Sequence, residues 1–463
     1  MITRLLSQFI ATSTYSGLDA GTVKAAKRGV LDFLSVTLAG SQEDAAAILT
    51  RHVERTKAAG HATVIGRRFK TDAALAAYVN GTMAHALDYD DVIHVDDMWL
   101  GHPSVVILPA ALALVEAGQL SGRDLIVAYC VGMDVYAKLG VLCGDVPYKN
   151  GWHNTSFIGN MAAAAAVSKL LGLDEGGVRR CLGIAASQSS GLRQNFGTMT
   201  KPLHAGMASR NGVEAALLAS AGFTASESIL EAPLGFRGVF TGEHIDLSEE
   251  LPYGAQRISP EEFARRLGNP WSIAAPGPSF KTCPSCRATH FGMEAALEYR
   301  RKADTPVGEI VQVDCHVPEH MGSVLSYHDP SKGLEAKFSL EYVIARTLLD
   351  GTPRISDFTD ERVNEPAIKP LMARIKWMPF SPRAGAFGTP EFVFRTNDRN
   401  VFRSRVEHPA GDPENPVSDA ALLEKFHDCA AGVLSRDSRL RLADAISRLE
   451  ALERLHDVTR LLE

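Results

Sequence analysis

From about residue 20 to residue 230 the chain is a succession of segments rich in alanine and leucine, whose apolar residues recur at spacings of three and four. The segments with this pattern span residues 22–38, 43–58, 72–87, 104–118, 123–139, 154–171 and 210–221. Several begin at a residue that caps helices well, such as Asp72 and Ser121. The pattern predicts a bundle of long helices, in which small residues such as the run from Ala162 to Ala166 allow close approach.

The composition changes between about residues 258 and 406, where proline becomes frequent and strand patterns appear. Residues 311–317 alternate apolar and polar side chains, which indicates a half-buried strand. A turn at residues 397–400 separates two more strand patterns and predicts a hairpin. Helical patterns also occur within this region, and helix returns from Asp419 to the end.

These patterns predict a mainly α protein with a large all-helical domain, formed by both ends of the chain, and a smaller inserted α+β lid domain. The predicted boundaries assign residues 1–265 and 408–463 to the helical domain and residues 266–407 to the lid. A chain of 463 residues exceeds a single ordinary core, which agrees with two domains. A cleft between two such domains is a common place for a ligand.

Charge and missing motifs disfavour several classes of protein. The net charge is −6 and no basic run is interleaved with aromatic residues, so we expect no nucleic-acid partner. No stretch approaches the apolar length of a membrane span, and the first residues lack a secretory pattern, so we expect no membrane partner. The 7 scattered cysteines suit a reducing cytoplasm, where we expect the protein. The chain also lacks a P-loop, a dinucleotide fingerprint, a serine elbow and a zincin motif.

The segment from His85 to Ser104 contains three histidines and five aspartates between two helical patterns. Carboxylates and imidazoles together are what proton transfer near neutral pH requires. A polar loop whose carboxylates cap helix ends is the alternative. The aspartates could also hold a divalent metal with His85 or His94. Against a metal, His102 and the basic residues farther along the chain favour a bound polyanion, so we expect no metal site.

Two later segments carry further candidates. His153 stands just before a long helical pattern, whose backbone N–H groups favour an anion; a histidine satisfied within a turn is the alternative. Lys201 precedes Pro202, which predicts an extended or turn conformation that could aim the ammonium into a cleft. A solvated surface lysine is the alternative there. His204 lies in the same basic segment.

The inserted region offers a second group of candidates. Lys281, Arg287 and His290 stand at the start of a predicted helix there, and their side chains could bind carboxylates or tie the lid to the helical domain. The cysteines of the intervening Cys-Pro-Ser-Cys motif are read as packed thiols. Tyr327 stands in a loop and could donate a proton, although isolated loop tyrosines more often pack at a surface.

Together these segments resemble the MmgE/PrpD family. The resemblance rests on residues 84–91, 101–104, the His153 helix start, 201–204, 281–290 and 335–342, which occur in the family's order and cover most of the chain. It implies a large helical domain, a smaller lid, a homodimer, and chemistry on small polycarboxylates without metal or organic cofactor.

The resemblance also assigns roles. Asp88, His102, His153 and Lys201 match the family's active-site positions, and the matches of His290 and Tyr327 lie in the more variable lid. We expect His153 or His102 to be the acid or base, Lys201 to anchor a carboxylate and stabilise negative charge, and Asp88 to orient a histidine or move a proton. We assign substrate binding to a further set of residues, Lys281, Arg287, His290, Tyr327 and His204.

These roles predict a cofactor-independent lyase that removes a proton next to a carboxylate of a small di- or tricarboxylic acid. The first expectation is a hydro-lyase like 2-methylcitrate dehydratase. The alternatives are an epimerase of a dicarboxylate such as iminodisuccinate, a decarboxylase of the cis-aconitate type, and a carboxylate-binding protein without activity. Val92 stands where decarboxylase-like members often carry threonine, and the stretch from Asp91 to His102 is longer than theirs. Both differences favour dehydration over decarboxylation.

Overall fold

The computed structural model describes residues 2–95, 98–243, 250–382 and 388–463. The helices are α1 (Ile2–Thr12), α2 (Ala20–Gly40), α3 (Asp44–Glu54), α4 (Ala73–His85), α5 (Ser104–Gly118), α6 (Gly122–Cys143), α7 (Val146–Lys149), α8 (Asn154–Leu170), α9 (Glu175–Ser187), α10 (Thr200–Ser220), α11 (Phe236–Thr241), α12 (Pro260–Arg266), α13 (His290–Lys302), α14 (Gly333–Ala336), α15 (Leu340–Asp350), α16 (Asp360–Val363), α17 (Ile368–Met372), α18 (Asp419–Ala430), α19 (Arg436–Ser447) and α20 (His456–Thr459). The strands are β1 (Ala62–Val64), β2 (Phe69–Thr71), β3 (Val92–Val95), β4 (Met98–Gly101), β5 (Leu251–Tyr253), β6 (Gln256–Ile258), β7 (Pro278–Ser279), β8 (Ile310–Pro318), β9 (Ile375–Phe380), β10 (Glu391–Thr396) and β11 (Val401–Arg405).

Helices α4, α8 and α10 pack side by side, with α5 and α6 against α8. Their close approach depends on glycine. A methyl group on Gly206 of α10 would collide with the carbonyl of Tyr78 on α4, and one on Gly212 would collide with Ala163 of α8. This packing brings the C-terminal end of α4 next to the N-terminal ends of α8 and α10.

Apolar side chains form two large clusters. The larger cluster joins buried residues between Ile2 and Ile273 with others between Phe426 and Leu462, so both ends of the chain contribute to it. The smaller cluster joins buried residues between Cys283 and Val406. The domain boundaries after residues 265 and 407 stay a prediction.

The lid region contains the largest sheet among the described residues. Strand β8 pairs in parallel with β9 and antiparallel with β10, and β10 forms a hairpin with β11. Val313, Cys315 and Val317 of β8 point into the smaller apolar cluster, as the alternating pattern predicts, whereas Val311 at the start of the pattern is exposed. Helix α13 contacts β10 and β11 and packs on α15. The predicted strand and hairpin are confirmed.

The prediction of an all-helical larger domain is wrong. Strands β1 and β2 form a hairpin, β3 and β4 form a second one that β7 extends, and β5 and β6 form a third. Each of these strands has only two to four residues, too few for alternation to stand out in the sequence. The fold is a mixture of α and β with a helical majority.

Helix α6 bears on the expectation that no stretch of the chain is long and apolar enough to span a membrane. By length and composition its 22 residues could cross a membrane, whereas no stretch of that kind is expected from the sequence. The apolar window of α6 is entirely buried inside the protein, and a buried core helix passes the same test.

Candidate active site

The N-terminal ends of α8 and α10 border a cavity of about 500 Å³, which is lined from both the helical part and the lid, and the C-terminal end of α4 lies behind its wall. His85 is the last residue of α4, His153 immediately precedes α8, and Lys201 lies in the first turn of α10. The N-terminal ends of α8 and α10 contribute the positive ends of their helix dipoles, while the first backbone N–H groups of α10 donate to Thr198 and Met199. The cavity is therefore suited to an anion.

Lys201 lies inside a helix and not in the extended or turn conformation that Pro202 predicts. Helix α10 begins at Thr200, so Pro202 occupies the first turn, where a backbone N–H has no acceptor within the helix. The missing N–H of proline therefore costs no helical hydrogen bond. Lys201 is buried and lines the cavity, so the solvated-lysine alternative does not hold.

Asp88 joins two lysines that are distant in sequence. Its Oδ1 accepts hydrogen bonds from Lys201 Nζ (3.1 Å) and Lys281 Nζ (2.7 Å), and Lys281 Nζ also donates to the carbonyl oxygen of Asp88 (2.7 Å). The backbone φ of Asp88 is +52°, in the left-handed region that few residues other than glycine adopt. Burial alone would raise the pKa of Asp88, but the two ammonium groups hold that pKa well below its usual value. Asp88 is therefore an ionised carboxylate held in a strained turn.

A second carboxylate, Asp90, lies between two imidazole rings. Its Oδ2 is 2.9 Å from His85 Nδ1 and 2.8 Å from His102 Nδ1. The other ring nitrogen of His85 accepts a hydrogen bond from Lys201 Nζ (3.0 Å). His102 lines the cavity, and its Nε2 is 3.8 Å from Asp88 Oδ1. Burial lowers the pKa of His102, and it lowers the pKa of His85 to about 4, so both rings are neutral at pH 7.

His153 lines the same cavity and is backed by His204. The two Nδ1 atoms are 3.1 Å apart, so one ring donates a hydrogen to the other and at least one of them is neutral. Burial lowers the pKa of His153 well below its usual value and that of His204 to about 4. The ring of Phe196 stands edge-on to His153 at 4.9 Å and limits its movement.

Arg287 is the predicted lid residue that contacts the cavity, among the residues that the structure describes. Its guanidinium also pairs with Asp412 and donates to the carbonyl of Pro409 (2.9 Å), which ties the lid segment to the residues before α18. His290 is fully buried, and its Nδ1 accepts from Arg287 (3.0 Å). Tyr327 donates to the carbonyl of Phe196 (2.9 Å).

The structure therefore brings Asp88, His102, His153, Lys201 and Arg287 together at the cavity wall. Within the described ranges, the other predicted residues lie behind that wall. Lys281 is bonded to Asp88, His204 to His153, and His290 to Arg287, while Tyr327 lies over the loop before α10.

Two residues of the site, Asp90 and Arg193, have no role predicted from the sequence. Asp90 belongs to the acidic segment, but spacing does not reveal which of five aspartates meets an imidazole. Arg193 lies between helical patterns without any motif. In the structure it lines the cavity, stacks over the ring of Tyr148 (3.7 Å), and donates to the carbonyls of Tyr148 and Ser323 (2.8 Å each). It thus links the helical part to the lid at the cavity mouth.

Four groups of the site lie close enough to share a metal ion, with ligand atoms within 4.8 Å of one another: His85, Asp88, Asp90 and His102. Most of the possible ligand atoms already have partners within the chain, whereas Asp88 Oδ2 is buried and has no hydrogen-bond partner among the described residues. Asp88 Oδ1 accepts from two ammonium groups, Asp90 accepts from two imidazoles, and His85 Nε2 accepts from Lys201. The two ammonium groups on Asp88 Oδ1 repel a cation placed at this cluster, so the contacts fit a site whose positive charge comes from lysine.

Relatives with known activities match the chain along nearly all of its length. Cis-aconitate decarboxylase of Mus musculus is 31% identical, covering 96% of this chain and 90% of its own. Cis-aconitate decarboxylase of Homo sapiens is 28% identical, covering 100% of this chain and 95% of its own. Cis-aconitate decarboxylase of Aspergillus terreus is 28% identical, covering 87% and 83%. Decarboxylases are lyases, and the prediction that this chain is an enzyme of the lyase class is confirmed.

Two family models match successive parts of the chain. The MmgE/PrpD N-terminal domain matches residues 4–247, and the MmgE/PrpD C-terminal domain matches residues 283–451. Both parts contribute to the cavity, the first through Lys201 and the second through Arg287. The chain belongs to the MmgE/PrpD family.

Proposed function

We propose that the protein is a lyase acting on a tricarboxylic acid, and that it removes one carboxylate from an unsaturated tricarboxylate of the cis-aconitate type. The observation that carries the proposal is the cavity where Lys201, His102 and His153 meet beside the ends of α8 and α10. The relatives that match the whole chain support the choice of substrate and of reaction. The proposed chemistry uses the side chains of this chain alone.

Lys201 is the proposed anchor for a carboxylate. An ammonium group has three N–H donors, and two of them are directed at His85 Nε2 (3.0 Å) and Asp88 Oδ1 (3.1 Å). The third is left for a carboxylate in the cavity. The rings of Phe196 and Phe338 lie 5.5 Å and 5.3 Å from Lys201 Nζ and keep this charge poorly hydrated, which strengthens its attraction for an anion.

The reaction requires one proton donor. Loss of carbon dioxide breaks the bond between a methylene carbon and its carboxylate, and the electron pair of that bond forms a new double bond. The pair of the original double bond then takes a proton at the carbon beyond it. His102 Nε2 and His153 both face the cavity, and the charges of a bound tricarboxylate raise the pKa of these imidazoles, so that one of them holds the proton that is delivered. Lys201 stabilises the negative charge that develops on the neighbouring carboxylate.

Dehydration of a hydroxy-tricarboxylate such as 2-methylcitrate is the second candidate. Burial keeps His102 neutral in the free protein, and a neutral imidazole is ready to take a proton next to a carboxylate. His153, on the same cavity, is placed to protonate the leaving hydroxyl group. Val92 lines the cavity at the position where decarboxylase-like members often carry threonine, which also favours this candidate.

Proton NMR in D₂O separates the candidates. The purified protein is incubated with cis-aconitate, citrate, 2-methylcitrate and iminodisuccinate, beside a Lys201→Met control. Decarboxylation is expected to give an unsaturated dicarboxylate with one deuterium on its methylene carbon. New olefinic signals from citrate or 2-methylcitrate would favour dehydration. Deuterium at an inverted carbon without loss of any group would favour an epimerase. If none of these acids changes, the proposal fails.

A further inference from the structure

We propose that Asp90 is a positioning residue, which fixes the tautomers of His85 and His102 at once and so presents an unprotonated His102 Nε2 to the cavity. The proposal about the tautomers stands on hydrogen-bond geometry. Its consequence for turnover rests on the proposed function, because it treats His102 as the acid or base of the reaction.

The tautomer of His85 follows from its two partners. Lys201 Nζ is 3.0 Å from His85 Nε2, and an ammonium group can only donate, so Nε2 carries no hydrogen. A neutral imidazole with a bare Nε2 carries its hydrogen on Nδ1. Nδ1 is directed at Asp90, 3.1 Å from Oδ1 and 2.9 Å from Oδ2. The chain of donors therefore runs from Lys201 through His85 to Asp90.

The tautomer of His102 follows in the same way. Its Nδ1 is 2.8 Å from Asp90 Oδ2 and 3.0 Å from the carbonyl oxygen of Asp91. Both neighbours are acceptors, so Nδ1 is the protonated nitrogen and Nε2 has the free lone pair. Asp88 Oδ1 is farther from the ring, 3.8 Å from Nε2, and already accepts from two ammonium groups. The orienting role that the sequence suggested for Asp88 thus fits Asp90 better.

The carboxylate of Asp90 lies against both rings and is 1% exposed. Its Oδ2 is 2.9 Å from His85 Nδ1 and 2.8 Å from His102 Nδ1, and the carbonyl oxygen of Asp91 is a second acceptor for His102. An amide in place of the carboxylate carries no charge, and its N–H₂ group would take the position of Oδ1 or of Oδ2. At Oδ1 the N–H₂ group faces His85 Nδ1 at 3.1 Å, and at Oδ2 it faces both Nδ1 atoms. In either orientation it opposes the Nδ1–H tautomer of at least one ring.

The first test does not depend on any substrate. Protein with ¹⁵N-labelled histidine is examined by NMR at pH 8, and the signals of the two rings are assigned with His85→Gln and His102→Gln. Both rings are expected to show a protonated Nδ1 and a bare Nε2 in the unsubstituted protein. A protonated Nε2 on either ring would overturn the proposal, whatever the protein catalyses.

The second test uses three variants. Asp90→Asn is expected to shift at least one ring towards the Nε2–H tautomer, whereas Asp91→Asn, a buried aspartate in the same turn, leaves both tautomers unchanged. With the substrate identified by the NMR survey, Asp90→Asn is expected to lower kcat by about 10²–10⁴-fold and to change KM little, as loss of the correct tautomer does in other enzymes. Asp90→Glu, which keeps the charge, is expected to recover part of that loss. Equal kcat in Asp90→Asn and the unsubstituted protein would contradict the role of Asp90.

Discussion

Replacing Lys201 by methionine separates a loss of catalysis from a loss of stability. The substitution removes two charge-assisted hydrogen bonds of a side chain that is 4% exposed. Removing one partner of a buried ion pair costs about 3–5 kcal/mol when the other charge is left alone. Asp88 is not left alone, because Lys281 Nζ stays 2.7 Å from its Oδ1. We therefore expect the free energy of unfolding to fall by only about 2 kcal/mol, less than that full penalty.

The effect on turnover is expected to be larger. A fixed donor aimed at charge that develops in the transition state contributes about 2.7–4 kcal/mol, which corresponds to a loss of about 10²–10³-fold in kcat. Steady-state rates with the substrate found by NMR, together with thermal unfolding of the same samples, measure both effects. Lys138→Met is the matched control, because Lys138 is also buried beside an aspartate, Asp134 at 3.8 Å, but lies away from the cavity. If Lys201→Met kept kcat within threefold of the control, the assignment of Lys201 would be refuted.

Three further predictions concern pH and metal ions. Burial lowers the pKa of His85 and His204 from 6.5 to about 4, so the unfolded chain binds more protons than the folded chain in that range. The free energy of unfolding should therefore fall as the pH drops from 6.5 towards 4. Urea titrations at several pH values measure this fall. Burial raises the pKa of Asp91 from 3.8 to about 8, so at this residue the folded chain binds more protons than the unfolded chain between these pH values. The contribution of Asp91 to the free energy of unfolding should therefore decline as the pH rises towards 8, and Asp91→Asn should remove that decline. The same dependence of stability on pH in Asp91→Asn and in the unsubstituted protein would contradict the burial argument. Chelation by EDTA should leave turnover unchanged, because lysine ammonium groups hold Asp88; a loss that zinc or magnesium restores would show that the acidic cluster binds metal.

Long elements were predictable from sequence and short ones were not. Helices such as α8 repeat the apolar period over several turns, so their existence is plain in the sequence. The strands β3 and β4, by contrast, have four residues each and are stabilised by pairing with each other and with β7. Such pairing is a tertiary interaction that no local pattern records.

For the candidate site, residue types were easier to predict than contacts. The motifs pointed to Asp88, His102, His153 and Lys201, and the structure places all of them at one cavity. The carboxylate that contacts His102 is determined by a turn in which Asp88 adopts a positive φ. The sequence does not predict that conformation. The catalytic roles themselves stay predictions, as do the homodimer and the cytoplasmic location.

The most direct test of the account is a crystal structure of the protein with tricarballylate, a saturated tricarboxylate that can bind but has no double bond to react. One carboxylate of tricarballylate is expected within hydrogen-bond distance of Lys201 Nζ, with the carbon chain facing His102 Nε2. A tricarballylate molecule bound elsewhere, with the cavity beside Lys201 occupied only by water, would contradict it.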